Sequence, residues 1–280
     1  MKTSLRLISA GTIAFGLVFA PALAQAGTGP AEDVLSPAEE KHAGARRVFE
    51  RALTDVELRP EQQQQVDELK AEAKKRHEPV KAAKRELIMA IADQVEQGKI
   101  DRCALESEIE KVASAKAQTQ SGDRAAFEKF HSILDKDQRT KFVDSLKRHW
   151  EEHRQRFEPA ALADKMAREL GLSDEQKTKV EQVLTGLRDI GEALGVHERH
   201  RERWAKILEA FKSDHFVLDE VAPAEDAAAK AKKRIEGHLW AAEAILPILD
   251  KEQRTKLAEK LRDKARGHTE TEEREAMSME

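Results

Sequence analysis

Apolar positions recur along this chain in steps of three and four. Val66, Leu69, Ala73, Val80, Ala83, Leu87 and Ile91 form one such stripe, the spacing of an amphipathic helix. Pro79 interrupts it, so a turn is expected near His77 to Pro79, with a second helix from Val80 to about Gln94. Gly98 marks a loop. A long helix is expected from Asp101 to about Ser132, with a weak point at Gly122, and another after Asp135 that carries Phe142, Leu146 and Trp150. The remainder follows the same plan, with breaks expected at Gly191 and Gly195, near Ser213 and Asp214, and at Pro247.

The pattern repeats in detail. Ile133-Leu134-Asp135-Lys136-Asp137-Gln138-Arg139-Thr140-Lys141 returns 115 positions later as Ile248-Leu249-Asp250-Lys251-Glu252-Gln253-Arg254-Thr255-Lys256, with eight of nine residues identical. Upstream, Leu58-Arg59-Pro60-Glu61-Gln62 matches Leu172-Ser173-Asp174-Glu175-Gln176 at an offset of 114. In three of these four Leu-x-x-x-Gln elements a Ser or Asp stands three residues before Gln, at Ser173, Asp135 and Asp250. That is the capping-box spacing, in which the small side chain and the Gln satisfy free backbone N–H groups at a helix start. Arg59 is a poor cap in the fourth, although Pro60 suits the first helical position.

Composition agrees with helices. Ala, Glu, Lys, Leu and Arg supply 152 of the 280 residues, Tyr is absent and aromatics reach only 4%, which excludes all-β classes. The chain opens on a basic segment with Lys2 and Arg6, an apolar run from Leu7 to Ala20, and Pro21-Ala22-Leu23-Ala24. That order is a secretory signal peptide over residues 1–24, cleaved after Ala24 or alternatively Ala26, with a core too short to span a bilayer. A soluble periplasmic product without stable membrane insertion is expected.

Removing Lys2 and Arg6 takes the net charge from −4 to −6, and the segment from Thr269 to Glu280 alone carries five Glu against one Arg. Nucleic acid is therefore a poor partner. Cys103 is the single cysteine, so no intramolecular disulfide can form, and it is read as a small half-buried residue. No phosphate-binding loop, G-x-S-x-G, HExxH or CxxC occurs, which speaks against an enzyme.

With the paired Leu-x-x-x-Gln starts, the stretch Ile91-Ala92-Asp93 through Lys99-Ile100-Asp101 and the closing Ile133 to Gln138 with Phe142, the sequence resembles the Spy/CpxP family of two-LTxxQ periplasmic proteins. The motif residues are Leu58, Gln62, Leu134, Gln138, Leu172, Gln176, Leu249 and Gln253; no copy has Thr at the second position. The resemblance implies an all-α fold of two tandem Spy-like units of about four helices each, over residues 36–157 and 158–268. A flexible segment at 25–35 precedes them and an acidic disordered tail at 269–280 follows. It implies an elongated, curved cradle formed as an internal pseudo-dimer, with further self-association open, and thin units without a deep core. Its implied function is that of an ATP-independent chaperone or envelope-stress adaptor whose partners are partly unfolded client proteins, with no cofactor required.

Histidines raise an alternative. His149 and His153 stand at i and i+4, His197 and His200 at i and i+3, so each pair shares a helical face and could contribute to a Zn²⁺ site. The first pair falls in the stripe of Phe142, Leu146, Trp150 and Phe157, the second with Trp204, Leu208 and Phe211, which favours packing over ligation. A periplasmic zinc sensor or resistance protein is thus the second expectation. The basic run Lys230, Lys232, Lys233, Arg234 reads as a solvated helix face or as part of a client surface.

Overall fold

The computed structural model describes residues 48–154, 158–193 and 196–277, and among them the fold is all-α with no strand. The elements are α1 (48–54), α2 (Pro60–Gln97), α3 (Glu106–Ile133), α4 (Lys136–Arg154), α5 (Pro159–Leu170), α6 (Asp174–Ala193), α7 (Val196–Phe211), the short α8 (Leu218–Val221), α9 (Ala227–Ile245) and α10 (Lys251–Met277). A 3-10 turn at Leu246–Ile248 leads into α10 and takes up Pro247. Residues 1–47, with the expected signal peptide, lie outside the described residues, as do Phe157 and Gly195.

The expected turn at Pro79 does not form, and α2 runs unbroken through it for 38 residues. The stripe Val66, Leu69, Ala73, His77, Val80, Ala83 and Leu87 is buried and passes Pro79 without changing phase. Pro79 itself faces solvent, as does Lys75, so the helical bond that proline cannot make is lost where water replaces it. Gly122 is likewise no weak point in α3. A Cβ there would lie 2.6 Å from Cδ of Arg76, so the glycine lets Arg76 of α2 cross α3 and donate to Asp123 at 2.9 Å. Gly191 is buried inside α6 rather than ending it. α10 continues to Met277, through most of the segment expected to be a disordered tail, because no proline follows Pro247 and the sequence there is rich in helix formers.

Helix α2 is the spine. It packs along α3 on one flank and α10 on another, while α9 packs on α3 and α5 on α6. Gly98 ends α2 in the left-handed conformation (φ 80°), where Gly98 N–H and Lys99 N–H reach back to Val95 and Gln94. Ala92 and Val95 of α2 pack with Leu246 and Ala258. Arg262 of α10 donates to Asp93 at 2.8 Å and to Glu96 at 2.5 Å, and Arg102 forms a two-pronged pair with Glu243 of α9.

A thin molecule without a deep core is not what forms. Six of the nine phenylalanines, Phe49, Phe127, Phe130, Phe142, Phe211 and Phe216, gather in one cluster with ring centroids 5.0–5.8 Å apart. Phe49, Phe130, Phe142 and Phe211 are wholly inaccessible to solvent. Tilted and edge-on ring pairs each add about 0.5–1.5 kcal/mol beyond their buried area. The scarce aromatic content is concentrated, which composition alone could not reveal, and α7, the 212–217 link and α8 supply Ile207, Phe211, Phe216 and Leu218 to a core otherwise built from α1 to α4.

Candidate functional site

The motif glutamines meet in pairs. Gln62 at the start of α2 and Gln138 at the start of α4 face each other side chain to side chain, with Gln62 Nε2 donating to Gln138 Oε1 at 2.8 Å and Gln138 Nε2 donating to Gln62 Oε1 at 3.0 Å. Each amide then closes a ring with backbone. Gln62 Nε2 donates to the Ile133 carbonyl at 2.6 Å and Gln138 Nε2 to the Glu57 carbonyl at 2.9 Å. Each oxygen accepts from the N–H of its own cap residue, Arg59 and Asp135, both at 3.0 Å. A backbone N–H can only donate, so the oxygen end of each amide must face its cap, and every donor and acceptor of both amides is used. The pair is buried, with Gln62 4% and Gln138 8% exposed.

The second pair repeats this bond for bond. Gln176 and Gln253, at the starts of α6 and α10, exchange Nε2 to Oε1 bonds of 2.8 and 2.9 Å. Gln176 Nε2 donates to the Ile248 carbonyl at 2.8 Å and Gln253 Nε2 to the Gly171 carbonyl at 3.2 Å, while the cap N–H groups of Ser173 and Asp250 donate to the two oxygens at 3.0 Å. The expected capping boxes close at all three Ser and Asp sites, where the helical N–H of Gln138, Gln176 and Gln253 donates back to Asp135, Ser173 and Asp250. Arg59, which cannot accept such a bond, turns its guanidinium to Asp135 at 3.1 Å and so ties one motif's cap to the other's. Hydrogen bonds from Gln138 and Arg59 hold the Asp135 carboxyl below the ordinary range, the former contributing most.

The motif leucines sit beneath these clasps. Leu134 and Leu249 are buried, and Leu58 and Leu172 pack partly buried against the same clusters. Two arginines extend the pattern. Arg139 donates to the Leu134 carbonyl at 3.1 Å and Arg254 to the Leu249 carbonyl at 2.8 Å. Arg139 also reaches Asp214, and Arg254 lies against Gly98, where an added Cβ would come within 3.1 Å of Nε. Both belong to the near-identical nonapeptide, so the signal was present, but nothing local gave them a task.

The histidine pairs are less complete. His149 Nε2 lies 3.2 Å from Asp55 and Nδ1 3.4 Å from Glu152, so its ring serves a carboxylate cluster in which Ser145 and Arg148 also bind Asp55. The Ser145 hydroxyl is the largest influence holding the Asp55 carboxyl below its ordinary range. His200 packs edge-on near Trp204. The side chains of His153 and His197 lie outside the described residues. Among the described residues no three His, Cys, Asp or Glu side chains converge as metal ligands. His77, read in the sequence only as the edge of an expected turn, is buried with Nε2 2.9 Å from Asp123. Cys103, expected to be half-buried, is exposed because it stands in the loop between α2 and α3 while Leu105 takes the interior position.

Residues 46–146 match the model of the LTXXQ motif family protein, a span that covers α1 to most of α4 and carries the first glutamine clasp. No curated protein and no solved structure gives a match to the chain. Among the described residues no helix is long and apolar enough to cross a membrane.

Proposed function

We propose that this chain is an exported, periplasmic, ATP-independent chaperone or envelope-stress adaptor of the Spy/CpxP type, a binding protein rather than an enzyme. The observation that carries this reading is the family match over residues 46–146 together with the glutamine clasps that fix pairs of helix starts. The recurrence of the clasp at Gln176 and Gln253 supports a tandem duplication, with residues 158–268 serving as the second member of an internal pseudo-dimer. In that reading the partners are partly unfolded client proteins. They are held loosely by long Lys, Arg and Glu side chains and by apolar groups left at the surface, of which Trp240 and Ile190 are 37% and 38% exposed.

The test is suppression of aggregation of an unfolded model protein by the purified mature chain without nucleotide. Suppression that weakens in Trp240→Ala is expected; none at all would overturn the reading. The same assay with Zn²⁺, beside zinc isotherms of wild type and of His149→Ala with His153→Ala, separates the alternative. A zinc sensor requires that the isotherm shift and that zinc change stability or assembly.

A further inference from the structure

The link between α7 and α8, residues 212–217, is not helical and lies on the first half of the chain as a strap. With Phe211 before it and α8 after it, it brings Phe211, Phe216 and Leu218 into the core that Phe127 and Phe130 of α3 and Phe142 of α4 help to build. Its polar ties run to side chains of α3 and α4. Lys212 donates to Asp144 at 2.9 Å, Arg139 pairs with Asp214, and the Leu218 N–H donates to Glu128 at 2.7 Å. Asp144 and Asp214 are 60% and 78% exposed, so their ion pairs with the lysine and the arginine contribute little to holding the strap down.

The tie made by His131 of α3 is buried. The residue is 5% exposed, Nε2 stands 2.9 Å from the Ser213 carbonyl, and the ring stacks on Phe216 at 5.0 Å and meets Phe211 edge-on at 5.1 Å. A carbonyl only accepts, so the neutral ring carries its proton on Nε2 and acid adds a second at Nδ1. Burial is the largest influence against that second proton, and the Ser213 bond opposes it. The charged groups acting on the ring are Arg139 of α4, which disfavours the proton, and Asp214 and His215 of the link, which favour and disfavour it in turn. Asp214 is already paired with Arg139. A proton on this ring is thus an added buried charge, which the seated strap excludes and a released strap accepts.

We infer that residues 211–222 are an acid-released strap, latched by His131 while its ring is neutral and let go when the ring is protonated, which bares the aromatic face of α3 and α4 to apolar segments of a client. Capture of clients by that face depends on the chaperone function proposed above, whereas release of the strap does not. Between pH 7 and pH 5 histidines titrate while Asp and Glu stay ionised, so the Lys212–Asp144 and Arg139–Asp214 pairs persist through the window in which the ring changes. Attachment is complete at neutral pH and weakens as pH falls below the ordinary histidine value, because only the released ring takes up the proton freely. Phe211 and Phe216 leave with the strap, and the rings of Phe127, Phe130 and Phe142 that they touch are uncovered.

Hydrogen exchange read by mass spectrometry on the purified chain at pH 7, 6 and 5, corrected for the intrinsic pH dependence of exchange, measures the release. Amides of 211–222 are expected to lose protection by about threefold or more on acidification, while the end of α2 and the clasp of Gln176 with Gln253 keep theirs. His131→Gln keeps an amide donor for the Ser213 carbonyl and takes no proton, so its strap should be held equally at pH 7 and pH 5. His131→Lys carries the charge at all these pH values and should open at pH 7. Should neither variant fold, exchange in the wild-type chain decides alone. Protection unchanged at pH 5, or lost only together with the rest of the molecule, would overturn the strap. Protection that rises with acid would overturn it too, by showing that the Phe216 face holds the imidazolium in place. Aggregation assays separate the two proposals: release without suppression at any pH leaves the strap standing and removes the chaperone reading, whereas suppression equal at pH 7 and pH 5 despite release would overturn the bared face as the client surface.

Discussion

Replacing Gln138 by Ala removes four hydrogen bonds at once. Two join it to Gln62, one to the Glu57 carbonyl and one to the Asp135 N–H. At about 1 kcal/mol net per bond, with a further 1–3 kcal/mol for the Gln62 amide left buried beside an empty space, the cost is roughly 5–7 kcal/mol. Gln138→Glu keeps the shape and loses the donor. At neutral pH its carboxylate would face the Glu57 carbonyl and Gln62 Oε1, so it should cost at least as much as Ala and recover in part on acidification, when a protonated acid can donate again. Urea unfolding at pH 7, followed by tryptophan fluorescence and far-ultraviolet circular dichroism with coincident transitions, measures these values. The double variant Gln62→Ala with Gln138→Ala should lose less than the sum of the singles, by about 1–2 kcal/mol, because both singles break the same mutual bonds. A Gln138→Ala loss below about 0.5 kcal/mol, or strict additivity, would show that water replaces the clasp and that the motif is not held by its glutamines.

The glycines separate two costs. Gly98 and Gly171 both have positive φ, but a methyl group meets Arg254 only at Gly98, so Gly171→Ala should cost about 1 kcal/mol by thermal unfolding and Gly98→Ala distinctly more. Burial among Phe211 and Phe216 holds His131 below the ordinary 6.5, ahead of the opposing hydrogen bond to the Ser213 carbonyl. The sign follows: stability is constant above that value and falls as pH drops beneath it, because the unfolded chain takes up a proton that the folded ring refuses. His131→Phe should flatten the decline in urea midpoint between neutral pH and pH 5 relative to wild type. Pro79→Ala should raise stability by about 1 kcal/mol or more, by restoring one helical bond in α2, and an unchanged midpoint would mean that the helix had already absorbed the loss.

Local signals carried most of the helix plan. The capping boxes at Asp135, Ser173 and Asp250 and the stripe through Phe142, Leu146 and Trp150 are properties of a few neighbouring residues, and they form as spaced. What the spacing could not disclose is pairing across distance. Gln62 was legible as a cap residue but not as the partner of Gln138, since an amide that bonds its own cap looks the same in sequence as one that also bonds a second amide. Pro79 was misread for a related reason: its local cost is real, but a stripe buried on both sides of it outweighs one lost bond. Arg234 sat in a basic run that looked solvated, and only the packing of α9 on α3 turned it inward.

The aromatic cluster sets the order in which this molecule can be completed. Phe127, Phe130 and Phe142 find further ring partners in Phe211 and Phe216, far along the chain. The family-matching segment 46–146 is therefore not separable: cut free, it would present the faces of its own phenylalanines to water. Contacts of such long sequence separation form slowly. A chain delivered from its N-terminus onward holds that apolar surface open until the residues of α7 and the link after it arrive. During that interval the protein is itself the kind of unfinished polypeptide that it is proposed to hold.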